Sequence, residues 1–135
     1  MLIRLELARI VITEMNSQQV LILREKDGPR EFSMFVGIFE ATTIDRRVKK
    51  IQTPRPLTHD LLSSAIEMLG GVLQDIYIHR LEEGTFYASL RIARNQELIE
   101  IDSRPSDAIA LAVSVDPWLP IWIEEDVLDQ AVAGE

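Results

Sequence analysis

The stretch EIDSRPSDAIALAVSV, Glu100 to Val115, decides the fold. Ile99 and Ile101 alternate with Glu100 and Asp102. That is the period of a half-buried strand, and it places Asp102 on the face away from the isoleucines or at the strand's exit. The chain must then turn into a helix. Ser103 can accept a backbone N–H of the first turn, Pro105 has no N–H to lose at a helix start, and Asp107 suits the positive end of a helix dipole. From Ala108 to Val113 no position is polar. A helix apolar on every face is buried on nearly all sides, so this is the expected central helix, with its charged N-terminus as a candidate site.

Outward from that helix the patterning is regular. Before it, VLQDIYIHRL (72–81) and TFYASLRIA (85–93) flank a Glu82-Glu83-Gly84 turn, with Phe86, Ala88, Leu90 and Ile92 on one face. Arg94-Asn95-Gln96 turns the chain again into ELIEID (97–102). Three antiparallel strands therefore lead into the helix. Beyond it, Pro117 and Pro120 bracket Trp118, PIWI (120–123) makes a short strand, and Glu124 to Ala133 closes with a helix. The acids Glu124, Glu125 and Asp126 at its start complement the dipole.

Toward the N-terminus, residues 2 to 13 alternate loosely, Asn16-Ser17 offers a turn, and QVLILRE (19–25) completes a hairpin. Asp27-Gly28-Pro29 turns into EFSMFV (31–36). Ile38, Ala41, Ile44, Val48 and Ile51 mark an amphipathic helix from about Ile38 to Lys50. Arg46, Arg47, Lys49 and Lys50 crowd its last turns, either as cations complementing the dipole on a solvated face or as a phosphate-steering patch. TPRPLT (53–58) is a stiff loop, and Thr58 caps a helix whose apolar stripe is Leu61, Leu62, Ala65, Ile66 and Leu69, closed by Gly70-Gly71. The order βββ-αα-βββ-α-β-α is an α+β fold, rich in antiparallel pairing, with about four helices in a single domain over residues 1–135.

Composition limits the chemistry. With 135 residues and 47% hydrophobic content the chain has little polar surface to spare, which a homodimer or higher homo-oligomer would explain. No apolar run approaches the ~20 residues of a membrane span, and MLIRLELARI interrupts its apolar residues with charges as no signal-peptide core does, so a cytoplasmic setting without membrane partners is expected. The absence of cysteine excludes disulfides, thiolate metal sites and cysteine nucleophiles. A net charge of −8 weighs against passive nucleic-acid binding but leaves room for a local positive patch.

No glycine-rich phosphate loop, His-Glu-x-x-His or nucleophile elbow is present. The candidates are acids and a histidine at helix starts: Glu40, His59, Asp60, Asp102 and Asp107. Arg55-Pro56 and Arg104-Pro105 form an echo, each leading into a helix with an acid in its first turn. The chemistry such a set can share is phosphodiester hydrolysis. Glu40, Asp102 and Asp107 could hold a divalent ion, Mg²⁺ or Mn²⁺. With Asp60, Asp102 and Asp107 as catalytic carboxylates, His59 could take the proton of the attacking water, and Arg55 and Arg104 could hold phosphate oxygens. No organic cofactor is expected. Each residue also has a structural account: Asp60 and Asp107 as dipole partners, Asp102 as a bridge to an arginine, His59 as a solvated first-turn residue, and Glu40 as an exposed one.

RPLTHDLL, TFYASL and SRPSDAIALAV together resemble the bifunctional nuclease family, over about Phe35 to Val127. The resemblance implies an α+β domain that tends to self-associate, with activity on RNA and DNA among some plant members. The family's characteristic polar residues fall on Glu40, Arg55, His59, Asp60, Asp102, Arg104, Ser106 and Asp107. Some relatives carry a further C-terminal helical motif associated with protein partners, which is not expected within a chain ending at Glu135.

Overall fold

A computed structural model of the chain describes residues 1–13, 15 and 17–135. The expected Asn16-Ser17 turn falls partly outside the described residues. The elements are β1 (Leu2–Val11), β2 (Gln18–Glu25), β3 (Glu31–Gly37), α1 (Ile38–Val48), α2 (Thr58–Met68), β4 (Val72–Glu82), β5 (Thr85–Arg94), β6 (Glu97–Ser103), α3 (Pro105–Ala112), β7 (Ile121–Glu124) and α4 (Glu125–Ala133). This is the α+β order expected from the patterning.

The seven strands form one sheet in the order β3-β2-β1-β7-β4-β5-β6. All neighbours are antiparallel except β4 and β7, whose parallel pairing matches Ile76 to Ile121 and Ile78 to Ile123. The tight turns follow from their residues: Glu83 and Gly84, then Asn95 and Gln96, hold positive φ, which two-residue hairpins require to match the strand twist. One sheet face is continuous core, with Leu21 and Leu23 of β2, Ile76 and Ile78 of β4, Ile121 and Ile123 of β7 and Ala88 and Leu90 of β5 all buried. The sheet curls enough for Phe32 of β3 to reach Phe86 of β5, ring centroids 5.4 Å apart. The opposite face is mixed, with Ile22 and Phe35 on it as well as a polar cluster. There Arg91 pairs with Asp75 and lies over Tyr77, and Tyr77 donates to Glu124, whose carboxylate pushes the phenol pKa up to about 12.

Helix α3 packs on β4 and β5 and also touches α1 and α2. Ala108 through Val113 are all 3% exposed or less, as the unbroken apolar run demanded. Ser103 does not cap it; Arg104 stands at the N-cap with no side-chain bond, and the Ser103 hydroxyl donates to the Arg104 carbonyl instead. Helix α1 stops at Val48 because Lys50, at φ 56, turns the chain out of it, with Lys50 N–H on the Arg47 carbonyl and Ile51 N–H on the Arg46 carbonyl. Thr58 is the first residue of α2 rather than its cap; Leu57 is the cap, its N–H held by Asp60 Oδ2 at 2.9 Å. The expected stripe of α2 is largely uncovered: Leu61 is 65% exposed and Leu69 72%. At the start of α4, Glu125 does more than face the dipole, since it shares Arg30 with Glu25 and Asp129 and ties the β2–β3 turn to the helix.

Candidate functional site

Three helices begin alike. Glu40, Asp60 and Asp107 are each the third residue of α1, α2 and α3, where a carboxylate meets the unpaired N–H groups and positive dipole end of the first turn. What differs is the partner each acid finds. Asp107 accepts from Arg104 Nε at 2.9 Å and from an Arg104 terminal nitrogen at 3.1 Å, a bidentate grip from its own N-cap residue. Asp107 Oδ1 also meets His59 Nε2 at 3.2 Å, a contact between α2 and α3 across 48 positions of sequence. Arg104 reaches Glu40 at 3.5 Å, drawing α1 into the same cluster. Gly37 leaves room for the Glu40 carboxylate, which a Cβ there would push aside.

The electrostatics follow from these contacts. Burial pushes the Asp107 carboxyl up, but the Arg104 and His59 hydrogen bonds and the Arg104 charge outweigh it, leaving the group below its ordinary 3.8. Glu40 and Asp107 converge on one guanidinium. Ser106, 7% exposed, lines a cavity of about 580 Å³ together with Glu40 and Arg104.

The second Arg-Pro turn goes elsewhere. Asp60 turns from the cluster toward α1, accepting from an Arg47 terminal nitrogen at 2.7 Å as well as from Leu57 N–H. Its carboxyl too stays below 3.8, burial being outweighed by the Arg47 and Leu57 hydrogen bonds. The echo between the two turns is therefore inexact: Arg104 is itself an N-cap, whereas Arg55 precedes the cap of α2 by two positions and lines a different cavity from Arg104.

The sequence matches the bifunctional nuclease domain over residues 21–134. The chain belongs to that family. Two uncharacterized proteins of Mycobacterium tuberculosis, MT1877 of strain CDC 1551 / Oshkosh and Rv1829 of strain ATCC 25618 / H37Rv, are each 43% identical to it over 122 residues, covering 90% of this chain and 71% of their own length.

Within this bifunctional nuclease domain the expected site residues divide into three places. His59, Arg104, Asp107 and Glu40 come together. Asp60 and Arg55 line the neighbouring cavity. Asp102 lies apart. It pairs with Ser89, between the pairs Ala88–Ser103 and Leu90–Ile101 that define the core face, so its side chain belongs to the outer face of the sheet, away from the helices. Among the described residues no group of three or more acids and histidines is arranged to hold a metal ion. His79, on β4, lies beside Tyr77 with ring centroids 5.4 Å apart.

Arg47 does more than its place in a basic run indicates. Arg47 belongs to a run that reads equally well as a solvated, dipole-complementing patch, but its side chain is only 15% exposed and it joins α1 to α2 through Asp60. Its Nε is buried with no hydrogen-bond partner among the described residues. The helical spacing of Ile44 and Val48 gave the available signal, since Arg47 follows Ile44 by three positions and sits at the edge of the buried stripe.

Proposed function

We propose that the chain hydrolyses phosphodiester bonds in RNA and/or DNA with relaxed specificity, at the cluster formed by the starts of α2 and α3. The carrying observation is the 3.2 Å contact of His59 Nε2 with Asp107 Oδ1, beside the Arg104 guanidinium. A carboxylate on one ring nitrogen fixes the tautomer, leaving Nδ1, which has no partner among the described residues, to take a proton. His59 accepts that proton from the attacking water as its oxygen bonds to phosphorus, and Asp107 stabilises the imidazolium. The proton then passes to the leaving oxygen. Arg104, 62% exposed, is free to turn from Asp107 to the phosphate and offset the negative charge that builds there.

The test is cleavage of single-stranded RNA and DNA by wild type, His59→Ala, Asp107→Asn and Arg104→Ala, with Mg²⁺, with Mn²⁺ and with chelator. Loss of the histidine should lower kcat by about 10² to 10⁴. Equal trace rates in all four proteins would assign the activity to a contaminant. The metal arms are needed because Glu40 and Asp107 already converge on Arg104, and a divalent ion would have to displace that guanidinium from both. Asp102, across the sheet, cannot join them without rearrangement. The donor set as arranged does not fit a divalent ion.

A second reading, a non-catalytic oligomeric module that regulates or binds a ligand, is favoured by the same geometry taken as a closed network, since both Asp107 oxygens are engaged. It expects Asp107→Asn to lower Tm by several degrees with no cleavage to lose. Self-association and a cytoplasmic setting belong to the proposal too. The uncovered apolar side chains of α2 and of edge strand β6, where Leu98 is 58% exposed, support the first. Among the described residues no helix is long and apolar enough to cross a membrane.

A further inference from the structure

A cavity of about 540 Å³ opens between the C-terminal end of α1, the loop 51–57, the start of α2 and the segment leaving α3. His59 does not line it, so it is separate from the proton-transfer pair. Its size lies within the range of small-ligand sites. Three kinds of group line it. Arg47, Lys50 and Arg55 bring three cations to one hollow of a chain whose net charge is −8. Asp60 is already bound to Arg47 at 2.7 Å, which leaves Lys50 and Arg55 with no ion-pair partner among the described residues. Trp118 contributes an indole that is 43% exposed, and Asp116 an acid that is likewise unpaired.

A bare inorganic anion would use the cations alone and be repelled by Asp116. A ligand carrying a phosphate, a flat ring and hydrogen-bond donors would use all three. We infer that this cavity receives one unpaired nucleotide of a single strand, with its phosphate on Lys50 and Arg55, its base against Trp118 and a sugar hydroxyl or base N–H on Asp116. The inference rests on the nuclease reading for the origin of the strand, and it assigns single-stranded nucleic acid as the preferred substrate. Bases in a duplex are stacked on each other and cannot reach the indole, whereas every unpaired base offers a face to an aromatic side chain whatever its sequence. Relaxed sequence specificity follows from the same contact.

The full chain has two tryptophans, so Trp122→Phe leaves emission from Trp118 alone. That protein is titrated with a short oligothymidylate, a DNA duplex of equal length, and inorganic phosphate, with strand integrity checked on gels. The single strand should quench Trp118, and the duplex should require at least about tenfold more to do so. Lys50→Ala with Arg55→Ala, both exposed positions, should weaken binding by about tenfold or more, and Trp118→Ala, followed by anisotropy of a labelled strand, by about tenfold. Equal affinity for duplex and single strand, unchanged affinity in the cation variant, or quenching by phosphate alone at the same concentration overturns the inference. Measuring binding and cleavage on the same chain separates the two readings. A chain that binds through Trp118 yet never cuts sinks the nuclease proposal alone, and one that cuts without Trp118-dependent binding sinks this one alone.

Discussion

Asp107 carries a guanidinium on one side and an imidazole on the other, and those two partners make opposite demands of it. Arg104 alone would make it a structural anchor of α3; on the nuclease reading proposed above, His59 makes it an orienting group. Replacing it by Asn keeps the shape while removing the charge that holds the tautomer and the imidazolium. Asp107→Asn is therefore expected to lower kcat by at least about 10²-fold with KM little changed, read by steady-state cleavage of a labelled strand. Lys50 gives a contrary case. It ends α1 at φ 56, a left-handed conformation that costs a side-chain-bearing residue about 1 kcal/mol relative to glycine. Lys50→Gly should thus raise Tm by about 3 °C in thermal melts while weakening nucleotide binding, because strain and cation occupy the same position. These residues differed in how legible they were. Acids at helix starts can be read from capping chemistry alone, and Glu40, Asp60 and Asp107 all stand there. Their partners cannot be read, because nothing in a sequence separates an Asp60 that faces His59's cluster from one that turns to Arg47. Asp102 shows the limit of parity: alternation put it opposite the isoleucines, as it is, but could not say that the helix starts lie on the isoleucine side.

Among the elements, α2 departs furthest from what its pattern promised. Its apolar positions recur at helical spacing, yet no residue in it is fully buried, since α3 and β4 cover only its inner side. Periodicity reports that a face is apolar and not which body covers it. The same rule served well for α3, where the run without any polar position left burial as the only outcome. It served for the strands too, whose turns were marked by Gly84 and Asn95. An uncovered stripe with Leu61 and Leu69 more than half exposed predicts self-association through α2. Leu61→Glu with Leu69→Glu should convert the oligomer to monomer in sedimentation experiments without lowering Tm of the fold itself; a wild type that is already monomeric would defeat this. The end of α2 is more demanding. Gly70 N–H bonds the Glu67 carbonyl at φ +90 and Gly71 N–H bonds the Ile66 carbonyl, so Gly70→Ala should cost about 1 kcal/mol in denaturant unfolding.

Across the whole molecule, the acidic balance and the helix starts combine into one dependence on pH. Asp60 and Asp107 are both held below 3.8: in each, burial is the largest single influence and raises the pKa, and the hydrogen bonds and neighbouring positive charges together lower it by more. A carboxyl whose folded value lies under its unfolded value contributes stability that is complete above the unfolded value. That contribution is lost as pH falls through the folded one. Stability from this pair of helix starts should therefore be flat from neutrality down to about pH 5 and then decline through the acid range. Asp60→Ala isolates the effect. At pH 7 it removes the Arg47 pair and the Leu57 cap together and leaves Arg47, already with one buried nitrogen unpartnered, without its acceptor, a loss of about 2 kcal/mol. Below pH 3.8 the wild-type carboxylate is itself being neutralised, so the gap in Tm between wild type and Asp60→Ala should narrow as pH falls. A gap that stays constant from pH 7 to the acid limit would mean that packing around the Asp60 side chain, and not its charge, ties α2 to α1.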